Sequence, residues 1–239
     1  MEKIIYALWY DTNADRAELN ARVRGEIAEQ LTKHALAVRV NIQDETVQGG
    51  NSPRLTSTRP QMDAVIQLWV NASHDPQRQP IDAIVASVAQ RHAAWLVSES
   101  TILPNIDHPP VAGERTPGFS QFVFLGRPPR LTQDAWRAAW HGLHTPVAVD
   151  TQANVEYVQN YVVRPLTYGA PEYAAMVEEC FPLDALGSEE IYFDAVGNPE
   201  KLAANQQAMM ESCARFMDFD RIDCIPTSQF DIKTLGARG

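Results

Sequence analysis

A histidine at position 144 ends a run of aromatic residues whose spacing is helical. Trp136, Trp140 and His144 recur at every fourth position, and residues spaced in this way share one face of an α-helix. Because that face carries two indole rings, we expect it to turn towards the protein interior. A histidine there can act as a general acid or base. The alternative is structural, with His144 capping the last helical carbonyls and packing on Trp140, and the two interpretations weigh about equally.

The helix that carries these residues is predicted to begin at Thr132 and to end near His144. Thr132 can cap the N-terminus, and Asp134 lies in the first turn, where negative charge is favourable. Pro146 disfavours a helical Thr145, so we expect the helix to stop there. The partial negative charge of the helix C-terminus would then favour the imidazolium of His144, and burial would oppose it. Between these influences, His144 can titrate near neutral pH.

Metal and cofactor sites are not predicted. His141 and His144 are three residues apart, but no third ligand stands at a telling spacing. The three cysteines, Cys180, Cys213 and Cys224, are an odd number without C-x-x-C spacing, which disfavours a disulfide framework or a zinc ribbon. The sequence has no glycine-rich phosphate loop and no G-x-S-x-G motif. We therefore expect a protein that works without flavin, haem or metal, in a reducing compartment.

The elements that must position His144 follow a repeated pattern. In the first half, Leu19, Val23, Ile27 and Leu31 have helical spacing, and apolar and polar residues alternate over 38–42 as in a half-buried strand. The order is β-α-β-β-α-β, with strands at 3–10, 38–42, 64–70 and 95–103 and helices at 16–33 and 81–93. The second half predicts the same order, with strands at 119–125, 155–163, 190–194 and 222–232 and helices at 132–143 and 198–217.

A proline-rich segment separates the two halves. Residues 104–118 contain four prolines and little periodicity, so they are predicted to link a unit at 1–103 to a unit at 119–239. Each would be a ferredoxin-like unit, an antiparallel sheet with helices on one face only. The bare face must be covered, and two units packed sheet to sheet would cover both. We therefore predict an α+β fold with two such units and an interior lined by the aromatic residues of the strands.

Two runs of the second half carry a family resemblance. Segment 122–129 reads F-V-F-L-G-R-P-P, and segment 131–146 reads L-T-Q-D-A-W-R-A-A-W-H-G-L-H-T-P. These resemble the first strand and first helix of EthD domains, with the helix-ending His-x-Pro, and 157–160 and 190–194 are similar to the second and third strands. The resemblance covers about half of the chain and implies an intramolecular dimeric α+β barrel. The first half lacks Trp-x-x-x-His-x-Pro, so one site is expected rather than two.

The resemblance implies a hydrophobic small-molecule ligand. One function that fits is a cofactor-independent enzyme, an oxidoreductase or lyase in which His144 transfers a proton during oxidation, cyclisation, decarboxylation or hydration. The alternatives are a non-catalytic binding or accessory protein of a degradation pathway and a structural subunit whose cavity its own side chains fill. Trp140, Tyr157, Asn160 and Tyr192 are predicted to bind the ligand, since they lie on the matching segments. Asn160, polar in an apolar strand, requires a partner inside the fold.

Bulk composition restricts the partners further. The 239-residue chain has a formal charge of −10 and a pI near 5.0, which disfavours nucleic acid and anionic membrane surfaces. The apolar run at 4–10 is too short for a secretory signal, and no run reaches the ~18 apolar residues that a membrane span needs. A cytoplasmic monomer or homodimer is expected.

Overall fold

Eight antiparallel strands form a closed barrel in the computed structural model, which describes residues 1–49 and 55–236. The strands are β1 Glu2–Trp9, β2 Ala37–Ile42, β3 Ala64–Val70, β4 Arg91–Leu103, β5 Phe119–Leu125, β6 Glu156–Pro165, β7 Ala175–Phe181 and β8 Ile222–Lys233. The strand order around the barrel is β1-β3-β2-β8-β5-β7-β6-β4. The mixed α+β architecture is thus confirmed.

Helices pack on the outside of this barrel. They are α1 at 16–31, α2 Asp75–Ala86, α3 at 133–151, the one-turn α4 Glu189–Tyr192 and α5 Pro199–Phe216. Both α1 and α3 contain a widened π-helical segment, Val23–Ile27 in α1 and Ala138–His144 in α3. Among the described residues, no helix is both long and apolar enough to cross a membrane.

The strands of each half are contiguous in the barrel. Those of the first half lie in the order β4-β1-β3-β2, and those of the second half in the order β8-β5-β7-β6. The two groups join along both edges, where β2 pairs with β8 and β4 pairs with β6. The predicted pair of sheets packed face to face is therefore one continuous sheet closed on itself, because edge hydrogen bonds satisfy backbone groups that two separate sheets would leave unpaired.

One predicted strand of the second half is wrong, and one strand was not predicted. Residues 190–194 are predicted to form the third strand, but 190–192 lie on α4 and 193–194 follow it. Ser188 caps the N-terminus of α4 by accepting a hydrogen bond from the backbone N–H of Ile191. The third strand is β7, which the sequence analysis missed. Its apolar run is interrupted by two adjacent glutamates, Glu178 and Glu179, so it lacks the alternation of a typical half-buried strand.

The helix that carries His144 does not end there. α3 continues to Thr151, and the backbone N–H of Thr145 donates to the carbonyl of Trp140, five residues earlier. Such π-type bonding gives the turn extra width, and Pro146, which has no N–H to donate, falls within the first turn of the following α-helical segment. The expected helix C-terminus beside His144, with its partial negative charge, is therefore absent.

The barrel interior is polar at one end and aromatic at the other. Arg39 forms ion pairs with Glu156 at 3.2 Å, Glu178 at 3.1 Å and Asp231 at 3.0 Å, all of them buried. The other end is an apolar cluster that includes Trp9, Trp95, Phe122, Phe124 and Tyr173. The aromatic interior predicted from the strands is thus half right, since Tyr6, Tyr157 and Tyr161 point to the helices instead.

Candidate functional site: a cavity between sheet and helices

A cavity of about 190 Å³ lies outside the barrel, between the sheet of the second half and helices α3 and α5. Its walls are mostly apolar and aromatic. The sheet side includes Gln121, Val123, Leu125, Tyr157, Val177, Glu179, Ile222 and Cys224, and the helix side includes Trp140, His144, Tyr192, Met209, Cys213 and Phe216. Successive side chains of a strand point to opposite faces, so alternate residues of β5 and β7 reach this cavity while their neighbours face the barrel interior.

A larger cleft of about 310 Å³ opens in the first half, near the N-terminus of α1. Its lining is more polar, and the ion pair between Arg16 and Asp63 lies across it. Asn20 is already engaged there, since it donates to the carbonyl of Gln43 and accepts from the hydroxyl of Tyr10. The groups of this cleft satisfy one another, so we regard the smaller cavity, with its buried titratable groups, as the candidate site.

Four of the five residues predicted to form a site meet at this cavity. Trp140, His144, Tyr157 and Tyr192 all line it. Asn160 does not, because it shares a strand face with Glu156 and points into the barrel interior. Its side chain is 0% exposed, and neither amide atom makes a hydrogen bond to a described residue. The predicted need of Asn160 for a partner is thus unmet within the described chain, and the structure does not bring it to His144.

His144 is buried, with 7% of its surface exposed. Its Nδ1 lies 3.0 Å from Oγ of Ser212 on α5, and its ring centroid lies 4.6 Å from that of Phe216. Burial lowers the pKa of His144 to about 4, since an apolar environment disfavours the imidazolium. The expected titration near neutral pH is therefore wrong, and the imidazole is neutral at pH 7.

The two tyrosines are held by amide side chains. Nε2 of Gln159 donates to the Tyr157 hydroxyl at 3.0 Å and also to Oγ1 of Thr145 at 2.8 Å. The Tyr192 hydroxyl accepts from Nε2 of Gln152 at 2.9 Å and donates to Gln121 at 3.3 Å. Burial raises the pKa of both phenols, so they stay protonated at neutral pH.

Glu179 is the cavity residue that the sequence analysis missed. Glu179 is 7% exposed, and its carboxyl accepts a long hydrogen bond of 3.4 Å from Nδ2 of Asn154. Burial raises the pKa of Glu179 to about 7, and the bond from Asn154 opposes this only in part. The signal in the sequence was a pair of glutamates inside the apolar run Ala175–Phe181. A carboxyl with such a pKa can take up or release a proton at neutral pH.

Metal binding finds no support in the described part of the chain. No group of three or more His, Cys, Asp or Glu side chains there is arranged to hold a metal ion. Cys180, Cys213 and Cys224 are buried, and no disulfide joins any two of them. The chemistry that the cavity offers by itself is therefore hydrogen bonding and proton transfer to a ligand held among aromatic side chains.

The barrel with its outer helices defines a class, because the chain has the fold of the dimeric α+β barrel proteins. It is similar to an anthrone oxidase-like protein, with a TM-score of 0.57 and 8% identity over 100% of this chain and 96% of that chain. A protein from Lactobacillus acidophilus named as a proposed monooxygenase gives a TM-score of 0.47 and 9% identity, covering 98% of this chain and 96% of that chain. At 8% identity, the similarity to the anthrone oxidase-like protein shows the fold alone and transfers no activity.

Residues 128–220 match the family model of the EthD domain. This match confirms the resemblance stated above. The matched segment runs from just after β5 to the turn before β8, and so it contains every residue predicted for the site and Glu179 as well. The first half of the chain lies outside it, and no curated protein matches the sequence.

Proposed function

We propose that the chain is a cofactor-independent enzyme that acts on a hydrophobic small molecule, with proton transfer by His144 in the cavity of the second half. The observation that carries the proposal is the meeting of His144, Glu179 and two phenols in an apolar cavity of about 190 Å³. A small apolar cavity with a few convergent polar groups is typical of a small-molecule site. Oxidation, cyclisation, decarboxylation and hydration all include proton transfers that such groups can perform.

The neutral imidazole of His144 fits a role that depends on the ligand. The contact with Ser212 holds Nδ1, and Nε2 makes no hydrogen bond to a described residue. An anion that develops on the ligand would raise the pKa of the imidazole, because opposite charges favour each other's ionised forms. His144 would then exchange a proton only while the reaction proceeds, and burial would keep it neutral between turnovers.

We further infer that the chain is a tandem duplication of one ferredoxin-like unit, at residues 1–103 and 119–239, joined by 104–118. The matching strand orders β4-β1-β3-β2 and β8-β5-β7-β6 support this inference. So does the order strand, helix, two strands, helix and strand in both halves, with a π-helical segment in the first helix of each. A single chain then supplies both halves of the barrel, which a monomer can complete without a partner.

A non-catalytic role in binding a hydrophobic molecule is the second candidate. The contact of His144 with Ser212 and its ring contact with Phe216 favour it, because a buried and hydrogen-bonded histidine also serves as a packing element. The two functions share the ligand class and differ in whether the bound molecule is changed.

The test begins with mass spectrometry of molecules that co-purify with the protein, followed by turnover assays on them. His144→Ala should lower turnover of the folded protein by about 10²-fold or more, the usual scale for general acid–base catalysis. His141→Ala is the matched control, since His141 is exposed on the same helix and does not line the cavity. Full turnover in folded His144→Ala would contradict the catalytic role, and binding without turnover would support the second candidate.

A further inference from the structure

Two adjacent glutamates of β7 face opposite sides of the sheet, and their surroundings differ sharply. Glu178 points into the barrel, where Arg39, Asn41, Gln67 and Gln229 all donate to its carboxylate at 2.6–3.1 Å. Burial raises the pKa of Glu178, but these partners, Arg39 first, more than offset it and bring it to about 2. Glu178 is therefore a permanently ionised part of the barrel core.

Glu179 has almost none of this support. It lies opposite Gln121 on β5 and Tyr157 on β6, and it accepts the one long bond from Asn154. It forms no ion pair with any described residue. A buried carboxylate with so few donors is costly unless something else satisfies it. The open space beside it is the cavity, so the missing donor can come from a bound molecule.

The cavity restricts which molecule could supply that donor. Most of the lining is aliphatic or aromatic, and among the lining residues that the structure describes there is no lysine or arginine. An anionic ligand would meet the Glu179 carboxylate in an environment of low polarity, where like charges repel strongly. An uncharged ring system with a hydroxyl group would place apolar surface against the walls and offer the carboxylate an O–H donor.

We propose that Glu179 accepts the proton that the substrate loses, and that the substrate is an uncharged, largely apolar molecule with an acidic hydroxyl, a phenol or an enol. This inference rests on the proposed function and adds the base and the substrate class. In the step, the substrate O–H bond breaks, its electron pair stays on the substrate oxygen, and a new O–H bond forms on the carboxylate of Glu179. The step needs no oxidant.

The environments of Glu179 and His144 suit complementary parts in this step. Burial shifts the two groups in opposite directions, with a pKa of about 7 for the carboxyl and about 4 for the imidazole. Pairs of groups that are shifted apart in this way divide the work of acid and base. Glu179 takes the proton. His144 lines the same cavity, and the anion that forms on the substrate would raise the pKa of its imidazole.

Besides His144 on α3, the titratable groups of the described chain that line the cavity with Glu179 come from four elements. Tyr157 lies on β6, Tyr192 on α4, and the thiols of Cys213 and Cys224 on α5 and β8. Burial raises the pKa of both tyrosines, and it raises that of Cys213 to about 12. These three groups and His144 therefore stay neutral between pH 6 and 8, the range in which Glu179 ionises.

The probes for a test are 2-naphthol and its methyl ether, 2-methoxynaphthalene, which has the same ring system without the O–H donor. A phenolic hydroxyl, with a pKa of about 10, stays protonated from pH 6 to 8. Calorimetric titration of the wild-type protein should give a Kd for 2-naphthol about tenfold lower at pH 8 than at pH 6, since the fraction of ionised Glu179 rises about tenfold. The ether should bind equally at both pH values.

Glu179→Gln should remove the pH dependence of 2-naphthol binding, and Glu211→Gln, the same change at an exposed position of α5, should keep it. Equal pH dependence for the ether, or its persistence in Glu179→Gln, would overturn the role of Glu179. The comparison of the two probes on the wild type alone decides the matter if the variant does not fold. Failure of the wild type to bind either compound would instead contradict the cavity as a ligand site, and with it the proposed function.

Discussion

The two halves of this barrel have the same strand order but fill the space between sheet and helices differently. In the first half, directly opposite residues of the first and third strands are Ile4 and Leu68, both fully buried in a mainly aliphatic core. In the second half, the pair Gln121 and Glu179 lies between the corresponding strands and borders a cavity. One half thus closes its layer by packing, and the other leaves room beside polar groups.

The first helices of the two halves also differ in whether they pack tightly on the sheet or border a cavity. Ile27 ends the π-helical segment of α1, and His144 ends that of α3. Ile27 packs in the aliphatic core, whereas His144 borders the cavity. π-Helical segments are frequent at functional sites, yet the described residues of the segment in α1 line neither the cavity nor the first-half cleft. The backbone shape is therefore shared, and the side chains decide whether a site forms.

A buried cluster of ion pairs joins the two halves of the barrel. Arg39 comes from the first half and pairs with Glu156 and Glu178 of the second. Arg39→Met would leave buried carboxylates without their cation and should lower the free energy of unfolding by about 3–5 kcal/mol. Urea unfolding measures this, with Lys201→Met, which breaks an exposed ion pair to Asp194, as the control at about 0–1 kcal/mol. A loss below about 1 kcal/mol for Arg39→Met would show that the halves do not depend on this cluster.

Substitution by Gln should change the free energy of unfolding in opposite directions at Leu68 and at Glu179. Leu68→Gln removes buried aliphatic surface and adds an unpartnered amide, and should cost about 3 kcal/mol. Glu179→Gln should stabilise by about 3 kcal/mol at pH 8. In the wild type, the folded-state pKa of Glu179, about 7, exceeds the ordinary value of 4.5. The free energy of unfolding of the wild type therefore falls as pH rises from about 4.5 to 7. Urea unfolding at pH 8 and near pH 4.5 separates the two, since the gain from Glu179→Gln should vanish at the lower pH.

His144 should also make the free energy of unfolding depend on pH, by a smaller amount than Glu179 and in the opposite direction. Its pKa falls from the ordinary 6.5 to about 4 in the folded protein, so its contribution to stability is complete above pH 6.5 and is lost as pH falls towards 4. Between pH 7 and pH 5 this amounts to about 2 kcal/mol. The difference in unfolding free energy between the wild type and His144→Ala should change by that amount over this range. A constant difference would mean that His144 is not buried as the structure has it.

The sequence predicted those elements whose pattern is local. The strand Phe119–Leu125 has the predicted bounds, and Thr132 caps α3 by accepting from the N–H of Ala135, as expected. The strand β7 was not predicted because its buried Glu178 is stabilised by an ion pair with Arg39. Arg39 belongs to the other half, and no local pattern reveals this contact. Residues 190–194 are too short a segment for their alternation to decide between strand and helix.

The residues of the candidate site were also predictable only where a local pattern places them. Trp140 and His144 could be placed on one face from their spacing alone, and both line the cavity. Asn160 could not be placed, since which face of β6 points to the helices depends on how the strand pairs with β4 and β7. The pKa of His144 could not be predicted without the structure. The π-helical segment is followed directly by a further α-helical segment that contains Pro146, so no helix C-terminus lies beside the imidazole, and only burial shifts its pKa.

In the proposed site, an uncharged hydroxylated ring lies between the sheet and the helices of the second half. A crystal structure of the protein with 2-naphthol at pH 8 tests it most directly. The ring is expected to occupy the cavity bounded by Trp140 and His144, with its hydroxyl oxygen within hydrogen-bond distance of the Glu179 carboxylate. Naphthol bound inside the barrel or in the first-half cleft, with the second-half cavity empty, would contradict it.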